Sequence, residues 1–164
     1  MEFVRTVAIA LITRTVVFAL IATTWLSGEH AMSADGLITL RSSFGPEATM
    51  SRLEAEVRAR GMTVFAHIDH AAGAQAVGSP LRPTNLLIFG AAKAGTPLMQ
   101  SDQAIGIDLP LKALVSQDEA GTTFLSYNDP AYLARRHGLA ESAKPVIEAM
   151  SAALNAIATK VTAP

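Results

Sequence analysis

The stretch LKALVSQDEAGTTFLSY, residues 111–127, decides the fold. Leu111 to Gln117 and Thr122 to Tyr127 read as two strands. The Asp118-Glu119-Ala120-Gly121 segment joins them as a hairpin turn, its last glycine suited to a left-handed bulge position. Upstream, Asn85 to Phe89 is apolar on both faces and belongs inside the same sheet. Met62 to Ile68 is a further strand, with Val64, Ala66 and Ile68 on one face and Thr63, Phe65 and His67 on the other. Leu37 to Arg41 is the first.

Helices fill the intervals. Pro46 suits a first helical turn, where its missing N–H costs nothing; Met50, Leu53 and Val57 then recur at helical spacing, and Gly61 closes the helix as a left-handed cap. Asp69 caps a small alanine-rich segment ending at Gly78, and Pro80 and Pro83 force an extended approach to the next strand. Gly95-Thr96-Pro97 opens a short helix with Thr96 as its cap. Asn128-Asp129-Pro130 starts another, ended by Gly138. The last helix carries the clearest stripe, Ile147, Met150, Leu154, Ile157 and Val161, with Ser142 as its cap and Pro145 in its first turn. The order is β-α-β4-α. It predicts an α+β fold with a curved, largely antiparallel sheet and helices packed on one face.

At 164 residues the chain has room for one such domain, expected at residues 34–164. Residues 1–33 read differently. From Thr6 to Leu26 the only charge is Arg14. One reading is a signal peptide: a basic start with Arg5 and Arg14, an apolar run from Thr15 to Leu26, and cleavage at Ala31-Met32-Ser33. The other is an uncleaved anchor, in which residues 1–26 alone meet the membrane; Arg14 near the centre of that span would cost about 2.5–3.5 kcal/mol. The expectation is an exported, periplasmic protein. Removing residues 1–33 takes two arginines and two glutamates, so the net charge stays at −1. A nearly neutral chain with scattered basic residues lacks the footprint of a nucleic-acid binder. Cysteine is absent, which excludes disulfides and thiolate chemistry and suits an oxidising compartment.

Five blocks then carry a resemblance: Ile68-Asp69-His70-Ala71-Ala72-Gly73-Ala74, Leu87-Ile88-Phe89-Gly90, Lys93-Ala94-Gly95-Thr96-Pro97-Leu98-Met99, Ile107-Asp108-Leu109-Pro110-Leu111-Lys112 and Ser126-Tyr127-Asn128-Asp129-Pro130. In order and spacing they resemble the motifs of the domain of unknown function 302 family, across residues 36–160. The resemblance implies a TATA-binding-protein-like β-α-β4-α arrangement and suggests homodimers. One departure is Ala91-Ala92, where the family usually carries Asn-Pro, so a hydrogen-bonding side chain and a rigid proline are both missing from that turn.

The candidate site residues are His70, Asp69, Lys93 and Thr96. His70 follows a strand end and precedes the small run Ala71-Ala72-Gly73-Ala74, which would let a flat ligand approach the backbone. Imidazole is a good metal ligand, and one axial histidine is enough for haem. The competing reading has His70 capping the turn or bonding a neighbouring carbonyl. His67 lies in a strand, so the pair three apart is a weak metal signal. His137 at a helix end is expected to meet the last carbonyls of that helix. The Lys93-Ala94-Gly95-Thr96 turn offers a cation and backbone N–H groups that could hold an anion, or is simply a capped helix. Asp108 and Asp129 fit ordinary turn chemistry before proline. No nucleophile–base pairing is legible, which places an enzyme third. First comes a non-enzymatic exported ligand-binding domain, with haem, a metal or a small ligand near His70; second, a structural or partner-binding dimeric domain without one.

Overall fold

The computed structural model describes residues 34–164; the expected leader lies outside them. Strands β1 (Leu37–Arg41), β2 (Thr63–Asp69), β3 (Thr84–Gly90), β4 (Leu111–Gln117) and β5 (Thr123–Asn128) form one sheet in the order β1-β5-β4-β3-β2. Every neighbouring pair is antiparallel. The first two strands are therefore opposite edges. Helix α1 (Pro46–Ala59) joins them, and its length of about 21 Å matches the roughly 19 Å width of five strands. The other helices are α2 (His70–Ala76), α3 (Ala92–Ser101), α4 (Pro130–Arg136) and α5 (Lys144–Thr162).

One sheet face is the floor of the core. Leu87, Phe89, Ala113, Val115, Leu125 and Tyr127 share it by register and are buried. The stripe expected on α5 packs above them: Ile147, Met150, Leu154, Ile157 and Val161 are all buried, as are Met50, Leu53 and Val57 of α1. Arg52 closes the far end of α5. Its guanidinium donates to the carbonyls of Val161, Lys160 and Ala163 at 3.0–3.2 Å and lies 4.1 Å over the Phe44 ring, so the orphan carbonyls of the last turn find donors. The other sheet face has Leu86, Ile88, Leu114 and Phe124 half-exposed.

Gly61 and Gly121 take the left-handed backbone expected of them, at φ 73° and 80°. Three local expectations are corrected. Strand β2 carries a bulge between Val64 and Ala66, so Val64 and His67 sit opposite Phe89 and Leu87, while Ala66 and Ile68 turn to the other face. The extra residue breaks the alternation of side chains. Helix α3 begins at Ala92 rather than Thr96, with Ala91 as an N-cap lacking a side-chain bond, and Pro97 lies inside it. Ser142 falls in a short 3-10 turn, Glu141–Ala143, and α5 starts behind Ala143 without a side-chain cap.

Candidate functional site

Strand β3 stops at Gly90, where an added methyl would lie in ordinary contact, 3.5 Å, with the Pro110 Cβ. The end of β3 thus lies beside the connection entering β4. Opposite stands the solvent-side shoulder of α5, with Val146, Ala149 and Ala153. Between them, and open toward the beginning of β2, runs a groove of about 760 Å³, within the size range of small-molecule sites.

Its walls are apolar for a structural reason. The α5 stripe that serves the core is wider than the core needs, so Met150 and Leu154 close the base while Ala149 and Ala153 leave room above. Met62 and Met99 flank the opening with flexible side chains that adapt to an occupant. Phe65 borders the groove and is 58% exposed, brought there by the bulge; regular alternation would not have placed it beside Val64.

Three polar side chains line the groove: Arg60, Lys93 and Thr96. Arg60 donates to Glu56 at 2.7 Å, and Lys160 pairs with the same carboxylate. The Lys160 hydrogen bond, then that of Arg60, holds the Glu56 carboxyl below its ordinary value of 4.5. Lys93, on the first turn of α3, is exposed and makes no ion pair among the described residues. Among the described residues no carboxylate and no imidazole lines the groove.

The sequence candidates thus separate. Lys93 and Thr96 border the groove. Asp69 and His70 sit at the other end of β2, six residue steps or about 20 Å from Thr63. Asp69 caps α2, accepting from the Ala72 N–H at 2.9 Å. His70 opens that helix, is exposed, and stands on an element with no buried residue. Among the described residues no group of three His, Cys, Asp or Glu side chains is placed to hold a metal ion. His67 meets Asn85 Oδ1 at 3.3 Å.

His137 is a correction. Its side chain does not serve the carbonyls of its own helix, which its backbone N–H meets instead; its Nε2 donates to Asp108 Oδ2 at 2.6 Å, and Arg136 lies 3.6 Å from the other carboxylate oxygen. Both partners are largely sequestered, so this pairing ties α4 to the connection that carries Leu109 and Pro110 into the groove. The groove and this pair were the features missed from sequence. The available signal was the second apolar row on α5, Val146, Ala149 and Ala153, beside the core stripe.

The family model described as Domain of unknown function DUF302 matches residues 38–157. A protein of Brucella suis biovar 1 named fluoride-specific ion channel FluC 1 is 45% identical over 115 residues, covering 70% of this chain and 45% of that protein. Proteins of Brucella abortus and Brucella melitensis with FluC names match at the same identity, over 43% of their length. The chain thus spans less than half of these relatives. The crystal structure of an uncharacterised conserved DUF302 protein from Bacillus stearothermophilus superposes with a TM-score of 0.70 at 21% identity, covering 79% of this chain and all of that one. That likeness is one of fold.

Proposed function

We propose that this chain, which belongs to the DUF302 family, is a non-enzymatic binding domain whose small, largely apolar ligand lies in the groove between α3, α5 and β2. The observation that carries the reading is the groove itself: about 760 Å³ of apolar space at the edge of a filled core. The predominantly apolar lining, with Arg60, Lys93 and Thr96 as its polar side chains among the described residues, supports binding of a largely apolar molecule. Binding of N-phenyl-1-naphthylamine, an uncharged fluorescent probe, tests it. The probe should brighten saturably at one per chain, and Ala149→Trp, which fills the groove from the exposed side of α5, should abolish the signal. No saturable binding, or equal binding by that variant, sinks the proposal.

The proposal keeps the domain exported, supported by the apolar run before Leu26 and the Ala31-Met32-Ser33 sequence. Cleavage near Ser33 would leave an intact mass beginning near Ala34 and remove Trp25, the single tryptophan; a full-length product with tryptophan emission would mean an anchor instead. Haem or metal at His70 ranks below the groove, because its support is one exposed imidazole beside small residues. A visible spectrum with added haemin tests it. The FluC names belong to proteins more than half of whose length lies outside the match, and the groove reading does not rest on them.

The half-exposed row Leu86, Ile88, Leu114 and Phe124 favours a second reading, a homodimer through the open sheet face. Light scattering of the protein and of Leu114→Lys would show a dimer become a monomer; a monomeric parent protein ends that reading.

A further inference from the structure

We infer that the occupant of the groove is a single-chain amphiphile with one anionic head, its alkyl chain along α5 and its head at Lys93. This rests on the groove-binding proposal above and narrows it to a ligand class.

Charge complementarity selects the head. Among the described residues two cations and no anion line the groove. Arg60 is held by Glu56, a carboxylate that Lys160 shares, so this cluster keeps a net positive charge while its guanidinium is engaged. Lys93 makes no ion pair among the described residues, is exposed, and borders the apolar lining. A cation without an ion-pair partner beside an apolar trough, with further positive charge at Arg60, fits a negative head. A neutral ligand would leave that charge unused, and a cation would meet repulsion.

Shape selects the chain. From Val146 to Leu154 the α5 wall extends eight residues, about 12 Å along the helix, a length suited to an extended chain lying beside it. The α5 wall presents small side chains, Ala149 and Ala153, beside Met150, and Met62 and Met99 line the groove from other elements. Unbranched thioethers re-pack around a floppy occupant at low cost. Thr96 is the sole uncharged side chain in the lining with a hydrogen-bonding group, so a ligand with several polar groups along its length would leave most of them unpaired, at the usual desolvation cost.

The experiment displaces bound N-phenyl-1-naphthylamine with dodecanoate, dodecanol or dodecyltrimethylammonium, each below its micelle concentration and at low salt. An uncharged amphipathic helical peptide serves as a fourth competitor. Dodecanoate should displace the probe about three- to fivefold more tightly than dodecanol, the scale of an exposed ion pair. Raising the salt should narrow the gap. Lys93→Met, a change at an exposed position that keeps the stem apolar, should bring the dodecanoate-to-dodecanol ratio of displacement, measured on the same variant, to about one. Lys93→Glu should reverse the order in favour of the cation. If dodecanol and dodecanoate compete equally, or Lys93→Met leaves the gap unchanged, the anionic head is wrong and the groove reading survives. Displacement by the peptide alone would also overturn the inference. Absence of probe binding removes the groove reading, and this inference with it.

Discussion

Leu154 and Ile157 lie three residues apart on α5, are 4% and 1% exposed, and should nevertheless respond differently to truncation. Either residue changed to alanine loses three carbons, a transfer cost of about 2.4 kcal/mol at 0.8 kcal/mol per methylene. What is added is the cavity term, which brings large-to-small core changes to about 2–5 kcal/mol. Leu154 forms part of the groove base, so the space its truncation opens merges with a groove that solvent already reaches. Ile157 lies outside the groove lining, within the core cluster, and leaves a sealed void. Leu154→Ala should therefore cost about 2–3 kcal/mol and Ile157→Ala about 3–4 kcal/mol. Urea unfolding followed by circular dichroism measures both. With a slope of about 2 kcal/mol per molar the midpoints should fall by roughly 1.2 M and 1.7 M. The Leu154 variant should also bind the naphthyl probe with altered affinity. If Leu154→Ala costs more than Ile157→Ala, the groove is not open where α5 forms its wall. A loss below about 0.5 kcal/mol at either site would mean that α5 does not pack on the sheet as described.

Further outcomes follow from the helix end and its charges. Arg52→Ala removes donors from two α5 carbonyls and that of Ala163 just beyond, and the contact with Phe44, and should cost about 1–2 kcal/mol by urea unfolding; Arg52→Lys, which cannot fork between carbonyls, should recover only part of it. The Glu56 carboxyl, held below 4.5 by Lys160 and Arg60, contributes stability that is fully present above pH 4.5 and is lost as pH falls through its lowered native value. Glu56→Gln should make the protein less stable at neutral pH and flatten the stability loss below pH 4.5; an acid limb as steep as that of the parent would show that another group sets it.

The fold was legible because its signals were local and redundant. The Asp118–Gly121 turn, Pro46 with Gly61, and Pro130 with Gly138 bounded the elements, and the five-residue stripe of α5 named the core face before any sheet was in view. The errors also have local causes. A bulge adds one residue without a sequence signature, so the faces assigned beyond Phe65 were inverted. Thr96-Pro97 looks like a helix start because both residues favour that position, yet the helix begins one turn earlier, at Ala92, and carries Pro97 inside it. The candidate site was half legible. Lys93 and Thr96 were singled out for their turn chemistry and border the groove, though inside a helix rather than at its cap. His70 drew attention by its chemistry, and tertiary placement left it exposed at the opposite end of β2. The Asp108–His137 pair spans 29 residues, and no local pattern announces a contact of that range.

The central claim is an occupied groove, and the methionines report on it most directly. Of the six in the chain, Met62, Met99 and Met150 line the groove, while Met50 lies on α1 in the core at 4% exposure. Methionine methyl groups labelled with carbon-13 give one NMR signal each. On titration with N-phenyl-1-naphthylamine, the signals of Met62, Met99 and Met150 should shift together and saturate at one probe per chain, with Met50 unmoved. Three unmoved groove signals, or a Met50 shift as large as theirs, would contradict the account.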